Sequence, residues 1–416
     1  MKVGILLAGG LDNAGSDTLF QEMSSYLEQN HELTSCVRRK STFAYNTKLQ
    51  REVNDENIVW FNEYGDKNVI DILNRKEVAI IYTSPMTKQF PEDAEAFVEM
   101  VEHITSPKIV LCLDRGKIGM KYSIMDERVL KSADLVNIFT EFNNIMAKTI
   151  QDSTYKISQL DINFFNWNNS KIPYAQKRDE IAYVGRFANF KGYNKIISLF
   201  QEGRLPKSYL YTIQGGKYTY NKETNNLAGS PGELVVMTNK FDKTAKNKGV
   251  IDCLKIHTDY EEYNSDLSKE QIHVFPEYKR EDMYKRLANA KYFMLLYRWK
   301  EGIQRGIFRK GFEYCFLESI NLGTPIITSK NFGREMICRD GLPLIEHDCG
   351  LIFIDDDTDI ELAIKEYEKN YDENVTKMQE FFKNIHNNDI IFNSLISELN
   401  KYKNNIMEGE TQNDNN

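Results

Sequence analysis

What the chain lacks narrows its class before any motif is read. Its six cysteines, Cys36, Cys112, Cys253, Cys315, Cys338 and Cys349, are scattered and form no CxxC pair and no Cys/His cluster. This argues against a disulfide scaffold or a zinc site and fits reduced thiols in a cytoplasm. No apolar run reaches the roughly 18 residues that a membrane-crossing helix needs. The apolar start is short, carries no cleavage-site pattern and ends in Gly9-Gly10, so it reads as a first strand rather than a signal segment. An excess of base is missing too: 53 Lys and Arg against 61 Asp and Glu give a formal charge of −8. A nucleic-acid partner would therefore need a local basic patch, not a whole-molecule field. There is no internal repeat, no G-x-G-x-x-G fingerprint, and no Walker lysine after the first glycine turn.

What is present is the pattern of a large α/β protein. The 416 residues, 41% hydrophobic and 27% charged, suffice for two globular domains. Strand-like runs at 2–8, 58–61, 78–82, 108–113 and 135–139 alternate with helical periodicity at 18–30, 69–75, 92–103 and 125–132. Such alternation predicts a parallel, doubly wound sheet, with ligands gathering beyond the carboxyl ends of its strands. A polar stretch over 166–178 marks a boundary. The expected division is a first domain over 1–165 and a second over 166–385, with 217–270 as an insertion or flap. A C-terminal helix over 386–407 is expected to pack back on the first domain, and 408–416 forms a disordered polar tail.

Several stretches carry chemistry. Gly10 and Gly15 lie in a glycine-rich turn between the first strand and helix, which either offers backbone N–H groups to a ligand or only makes the turn. Asp114 directly follows the run Ile109-Val110-Leu111-Cys112-Leu113; it is either a carboxylate at a strand mouth or a cap for the next turn. Arg38, Arg39, Lys40, Lys48 and Arg51 are interleaved with Phe43 and Tyr45, which suits phosphate contact and base stacking, and equally a solvated loop. Arg186 and Lys191, five residues apart between a strand and a helix, either make a diphosphate clamp or are two surface cations flanking a turn. Glu313 and Glu318 stand on a helical run over 312–321 that breaks at Gly323-Thr324 before a strand. Asp355-Asp356-Asp357 reads as helix capping rather than a metal site.

Taken together, Gly185-Arg186…Lys191-Gly192, Glu313-Tyr314…Leu317-Glu318…Gly323-Thr324 and Leu342-Pro343-Leu344…His347-Asp348-Cys349-Gly350 resemble the retaining glycosyltransferases of the two-Rossmann (GT-B) type. Within that group the chain is similar to the DNA α-glucosyltransferases of T-even phages, nearly end to end. The resemblance implies two Rossmann-like domains with a cleft between them and transfer of glucose from UDP-glucose, or a related UDP-sugar, to 5-hydroxymethylcytosine in duplex DNA. It implies that Arg186 and Lys191 hold the diphosphate and that Glu318 accepts from the ribose hydroxyls. Glu313 would lie nearer the sugar or phosphates. Gly10, Gly15, Gly323 and Thr324 would join the donor site, and Asp114 would face the acceptor. Arg38, Arg39, Lys40, Lys48, Arg51 and Arg115 would meet DNA. Where the family carries a histidine before that acid, this chain has Leu113. No cofactor is implied beyond the UDP-sugar co-substrate. No metal is needed if the two cations neutralise the diphosphate, and a monomer in a bacterial host cytoplasm is expected.

Overall fold

Runs such as Val78–Tyr82, buried at every position, fit only a strand covered on both faces, as in a parallel sheet flanked by helices. A computed structural model describes residues 1–8, 15–39, 55–82, 91–112, 126–138, 156–158, 160, 162–185, 192–214, 219–221, 226–228, 253–257, 263, 266–275, 280–297, 299 and 312–413. The chain divides into two compact units. One holds Met1–Asn166 and His386–Asn416; the other holds Trp167–Gln304 and Glu313–Ile385.

In the first unit the order is β1 (Lys2–Leu7), α1 (Gly15–Asn30), β2 (Glu32–Arg38), β3 (Ile58–Phe61), α2 (Lys67–Asn74), β4 (Val78–Tyr82), α3 (Pro91–His103), β5 (Lys108–Cys112), α4 (Glu127–Ser132), β6 (Leu135–Ile138) and β7 (Ile157–Ser158). The sheet runs β3-β2-β1-β4-β5-β6-β7, with every pairing parallel. Its direction of winding reverses between β1 and β4, the switch point of a doubly wound sheet. Leu6, Ile81, Phe97, Val101, Val110 and Val136 form part of one core cluster, each fully buried side chain of this size contributing about 1.5–3 kcal/mol.

The second unit contains β8 (Arg178–Val184), α5 (Tyr193–Gln201), β9 (Leu210–Gln214), the short hairpin β10 (Thr219–Asn221) and β11 (Asn226–Ala228), β12 (Leu254–Ile256) and β13 (Ile272–Phe275). These are followed by α6 (Arg280–Asn289), β14 (Ala290–Leu295), α7 (Tyr314–Asn321), β15 (Ile326–Ser329), α8 (Lys330–Glu335), β16 (Ile352–Ile354), α9 (Ile360–Glu368) and α10 (Tyr371–Ile385). Its sheet, β12-β13-β9-β8-β14-β15-β16, is again all parallel and switches between β8 and β14.

Two expectations are corrected. Residues 217–270 are not wholly an insertion. β12 pairs with β13, and His257 beyond it is buried with its ring stacked 4.5 Å from that of Phe275. β12 pairs with the side of β13 away from β9 and, at 3 residues, leaves only a short edge of its own. The final helix, α11 (Asn388–Asn413), continues through most of the tail expected to be disordered. No proline interrupts it, so each residue can extend the ladder of i to i−4 hydrogen bonds begun further up the helix. Its start is fastened within the first unit: Tyr26 Oη donates to Asp389 at 2.8 Å, and the Tyr26 and Phe392 rings meet at 6.0 Å.

Candidate active site

The switch point of the second sheet has a specific construction. Gly185 N donates to Gln214 O at 2.9 Å, tying the end of β8 to β9. α5 then begins after Gly192, whose φ of +78° lies in the left-handed region. A Cβ there would sit 2.1 Å from Leu296 O, just past β14. Only glycine permits this approach, and it sets the start of α5 against the exit of β14. Arg186 and Lys191 occupy the sequence between β8 and Gly192, and both lie outside the described residues. So do Asp114, Arg115, Gly10, Lys40, Lys48 and Arg51. Gly15 is the first residue of α1.

The two acids of the 312–321 run are separated by environment. The helix starts at Tyr314, later than the pattern suggests, because Glu313 has extended φ and ψ of −69° and 153° and serves as N-cap. Its carboxylate makes no capping bond. It is half-buried and lies beside Tyr297, whose phenol is pushed well above its ordinary value by burial, with the neighbouring Glu313 charge adding to the effect. All of α7 is buried, including Glu318 at 3% exposure. A carboxylate taken so far from water needs donors, and Tyr284 Oη on α6 supplies one at 3.1 Å to Oε1. Ionised Glu318 can only accept hydrogen bonds, which suits it to hydroxyl donors. The structure thus holds one acid inside the helical layer and leaves the other at the helix start.

Three expected ligand contacts are better explained by the fold. Gly323, with φ +65°, would bring a Cβ to 2.6 Å from Lys171 Cβ, so its glycine is required by packing. Thr324 is fully buried; its hydroxyl donates to Leu287 O at 2.5 Å and accepts from Lys177 Nζ at 2.9 Å. Arg38, expected on DNA, is 3% exposed. Its Nη1 donates to Tyr64 Oη at 2.9 Å, and Tyr64 in turn donates to Ala8 O at 2.5 Å. That chain anchors the end of β1, and a buried guanidinium so engaged has no face for phosphate. Arg39, one residue on, is exposed, with its guanidinium 5.6 Å from the centre of the Trp60 ring.

Residues that the sequence does not single out now stand out. Tyr284 sits on the flank of α6 beside Met283 and Leu287, the residues that carry the amphipathic pattern. A polar-tipped aromatic next to an apolar stripe is the available signal. Lys177 falls within the polar boundary stretch, yet it is buried and donates to Ala288 O, Ala290 O and Thr324 Oγ1.

Two all-parallel doubly wound domains of seven strands each define the GT-B fold, and this chain has it. Among solved structures, it is similar to an α-glucosyltransferase in complex with UDP-glucose and DNA containing an abasic site. The TM-score is 0.75 at 16% identity, covering 96% of this chain and 99% of that one. The complex of an α-glucosyltransferase with UDP and a 13-mer DNA holding an HMU base gives 0.74 at 16% identity, with the same coverage. Anabaena HepE with UDP and glucose gives 0.54 at 10% identity, covering 96% and 99%. No family model matches the chain, and no curated protein matches it in sequence. Among the described residues, no helix is long and apolar enough to cross a membrane.

Proposed function

We propose that this protein transfers a hexose from a UDP-sugar to a hydroxymethyl group on a base of duplex DNA, with retention at the anomeric carbon. The observation that carries the reading is the contrast among structural neighbours. The α-glucosyltransferase structures, with UDP or UDP-glucose and with or without DNA, superpose at 0.73–0.75, while another GT-B neighbour, Anabaena HepE with UDP and glucose, reaches 0.54 at similar coverage. Glucose and 5-hydroxymethylcytosine are the donor sugar and acceptor base we favour. A 5-hydroxymethyluracil acceptor is the second reading, motivated by the HMU-containing DNA in a similar complex.

In this reading Arg186 and Lys191 follow β8 at the switch point and neutralise the diphosphate as the bond from the anomeric carbon to UDP breaks. The acceptor hydroxyl oxygen attacks the same face, and its proton leaves to a base, for which Asp114 is the candidate. Glu318 accepts from the ribose hydroxyls, Glu313 lies nearer the sugar, and Gly10 and Gly15 let the backbone approach the donor. Arg39, Lys40, Lys48, Arg51 and Arg115 supply the local positive charge that an acidic chain needs to hold DNA.

The test is incubation with radiolabelled UDP-glucose and duplex DNA bearing hydroxymethylcytosine or hydroxymethyluracil, followed by mass spectrometry of the nucleosides. A hexose on the modified base is expected, in α linkage. Label absent from both DNAs across a panel of UDP-sugars, or recovered in lipid extract instead, overturns the proposal. Arg186→Ala is expected to reduce turnover by about 100-fold or more with the fold intact.

A further inference from the structure

The turn Asp355-Asp356-Asp357 has no part in the donor site outlined above. Two of its neighbouring acids have local duties. Asp359 caps α9, accepting from Leu362 N at 3.0 Å. Asp355 closes the turn, accepting from Thr358 Oγ1 at 2.6 Å, and pairs with Lys330 at 2.9 Å. Asp356 reaches elsewhere. Its Oδ1 accepts from Lys195 Nζ at 3.0 Å and from Trp299 Nε1 at 3.2 Å, and lies 3.6 Å from Arg204 Nη1. The Lys195 ammonium also sits 4.7 Å from the centre of the Trp299 ring. One carboxylate oxygen therefore joins the first turn of α5, the segment beyond β14 and a residue just past α5's C-terminal end.

The first turn of α5 has a deficit that Asp356 offsets. It has no side-chain cap and no acid of its own, and its third residue, Lys195, is a cation at the positive end of the helix dipole. Asp356 brings the missing negative charge from the end of β16. Gly192 already abuts Leu296 O, so backbone contact and carboxylate together fix where α5 starts. Asp356 is 60% exposed, and a pair so open to solvent adds little to global stability. Its worth is local.

We propose that Asp356 is a positioning residue for the donor diphosphate. Through Lys195 and Trp299 it holds the helical turn that directly follows Lys191 in sequence. The inference rests on the UDP-sugar reading above. It concerns only the phosphate end of the donor, so uridine, which lacks the diphosphate, should not sense Asp356.

The experiment is calorimetric titration of the full chain with UDP and, separately, with uridine. Asp356→Asn is expected to weaken UDP binding about threefold to fivefold, the range an ion pair of this exposure carries. Uridine binding and melting temperature should stay at wild-type values. Asp356→Glu should restore most of the loss. Lys195→Met should match Asp356→Asn, and the double variant should be no weaker than either, since both act through one contact. Equal UDP affinity in wild type and Asp356→Asn, tighter binding, or an equal loss for UDP and uridine overturns the inference. Wild type that binds no UDP at all overturns the donor reading itself, a result distinct from unchanged binding by the variant.

Discussion

The Tyr284 hydroxyl donates to Glu318 Oε1 at 3.1 Å, joining α6 to α7 at a carboxylate only 3% exposed. A hydrogen bond to a charged group is worth about 1.5–3 kcal/mol. If Glu318 accepts from the donor ribose, Glu318→Gln, which keeps the shape and removes the charge, should weaken UDP binding about 10- to 100-fold. Tyr284→Phe leaves the charge but frees its orientation, and should cost about threefold to tenfold. Calorimetric titration with UDP checks both. Wild-type affinity in Glu318→Gln would remove Glu318 from the donor site.

Arg38 and Arg39 are adjacent in sequence and differ in surroundings, so they should separate stability from DNA affinity. Arg38→Ala strips the guanidinium from Tyr64 and leaves a void at the end of β2, and should lower stability by about 2–4 kcal/mol. Arg39→Ala should leave stability within about 0.5 kcal/mol and weaken DNA binding, with a shallower salt dependence. Urea denaturation and fluorescence anisotropy at several salt concentrations read the two effects. A salt slope for Arg39→Ala equal to wild type places Arg39 off the DNA.

The same pair shows what is legible in the sequence. Strands that are apolar at every position, such as Val78–Tyr82 and Ile58–Phe61, are legible to the residue, the first because it is buried throughout and the second because its run is β-branched and aromatic. β2 is not. Its Ser35 and Arg38 are buried within the sheet, where their polarity imitates a loop. β13 carries buried His273 in its interior and resembles the start of a loop for the same reason. Glu318 and Glu313 can be named from spacing alone. Their different burial cannot, because it depends on α6, whose partner in packing is chosen by the tertiary fold. Asp356 has the sequence context of a cap for the following helix; one of its bonds instead crosses to an element more than a hundred residues earlier.

Gly323 offers a test of the turn between α7 and β15. At φ +65° a residue with a side chain is strained, and here its Cβ would meet Lys171 Cβ at 2.6 Å. Gly341 has φ +85°, and a Cβ placed there would have nothing within 4 Å, so it isolates the backbone effect. Gly341→Ala should cost about 1 kcal/mol, and Gly323→Ala about 1–3 kcal/mol more. Urea midpoints compare them. Equal losses would mean that Lys171 yields without cost and that the contact does not fix the turn.

Lys177 makes stability depend on pH in an unusual window. Burial pushes its ammonium down to about 7 from an ordinary 10.5, with Asp372 opposing the shift. Between those two values the unfolded chain carries a proton that the folded chain has released. Stability from this group therefore rises with pH from about 7 toward 10.5, and its penalty is fully present below 7. One proton corresponds to a slope of about 1.4 kcal/mol per pH unit. Lys177→Met removes that slope, so its stability should rise less steeply than wild type between pH 7 and 9.5. It should also be less stable at the upper end, because the neutral amine still has two N–H groups to share among Ala288 O, Ala290 O and Thr324 Oγ1, and methionine has none. Parallel stability curves for the two proteins across that range would show that Lys177 keeps its proton when folded, held by the three oxygens that surround it.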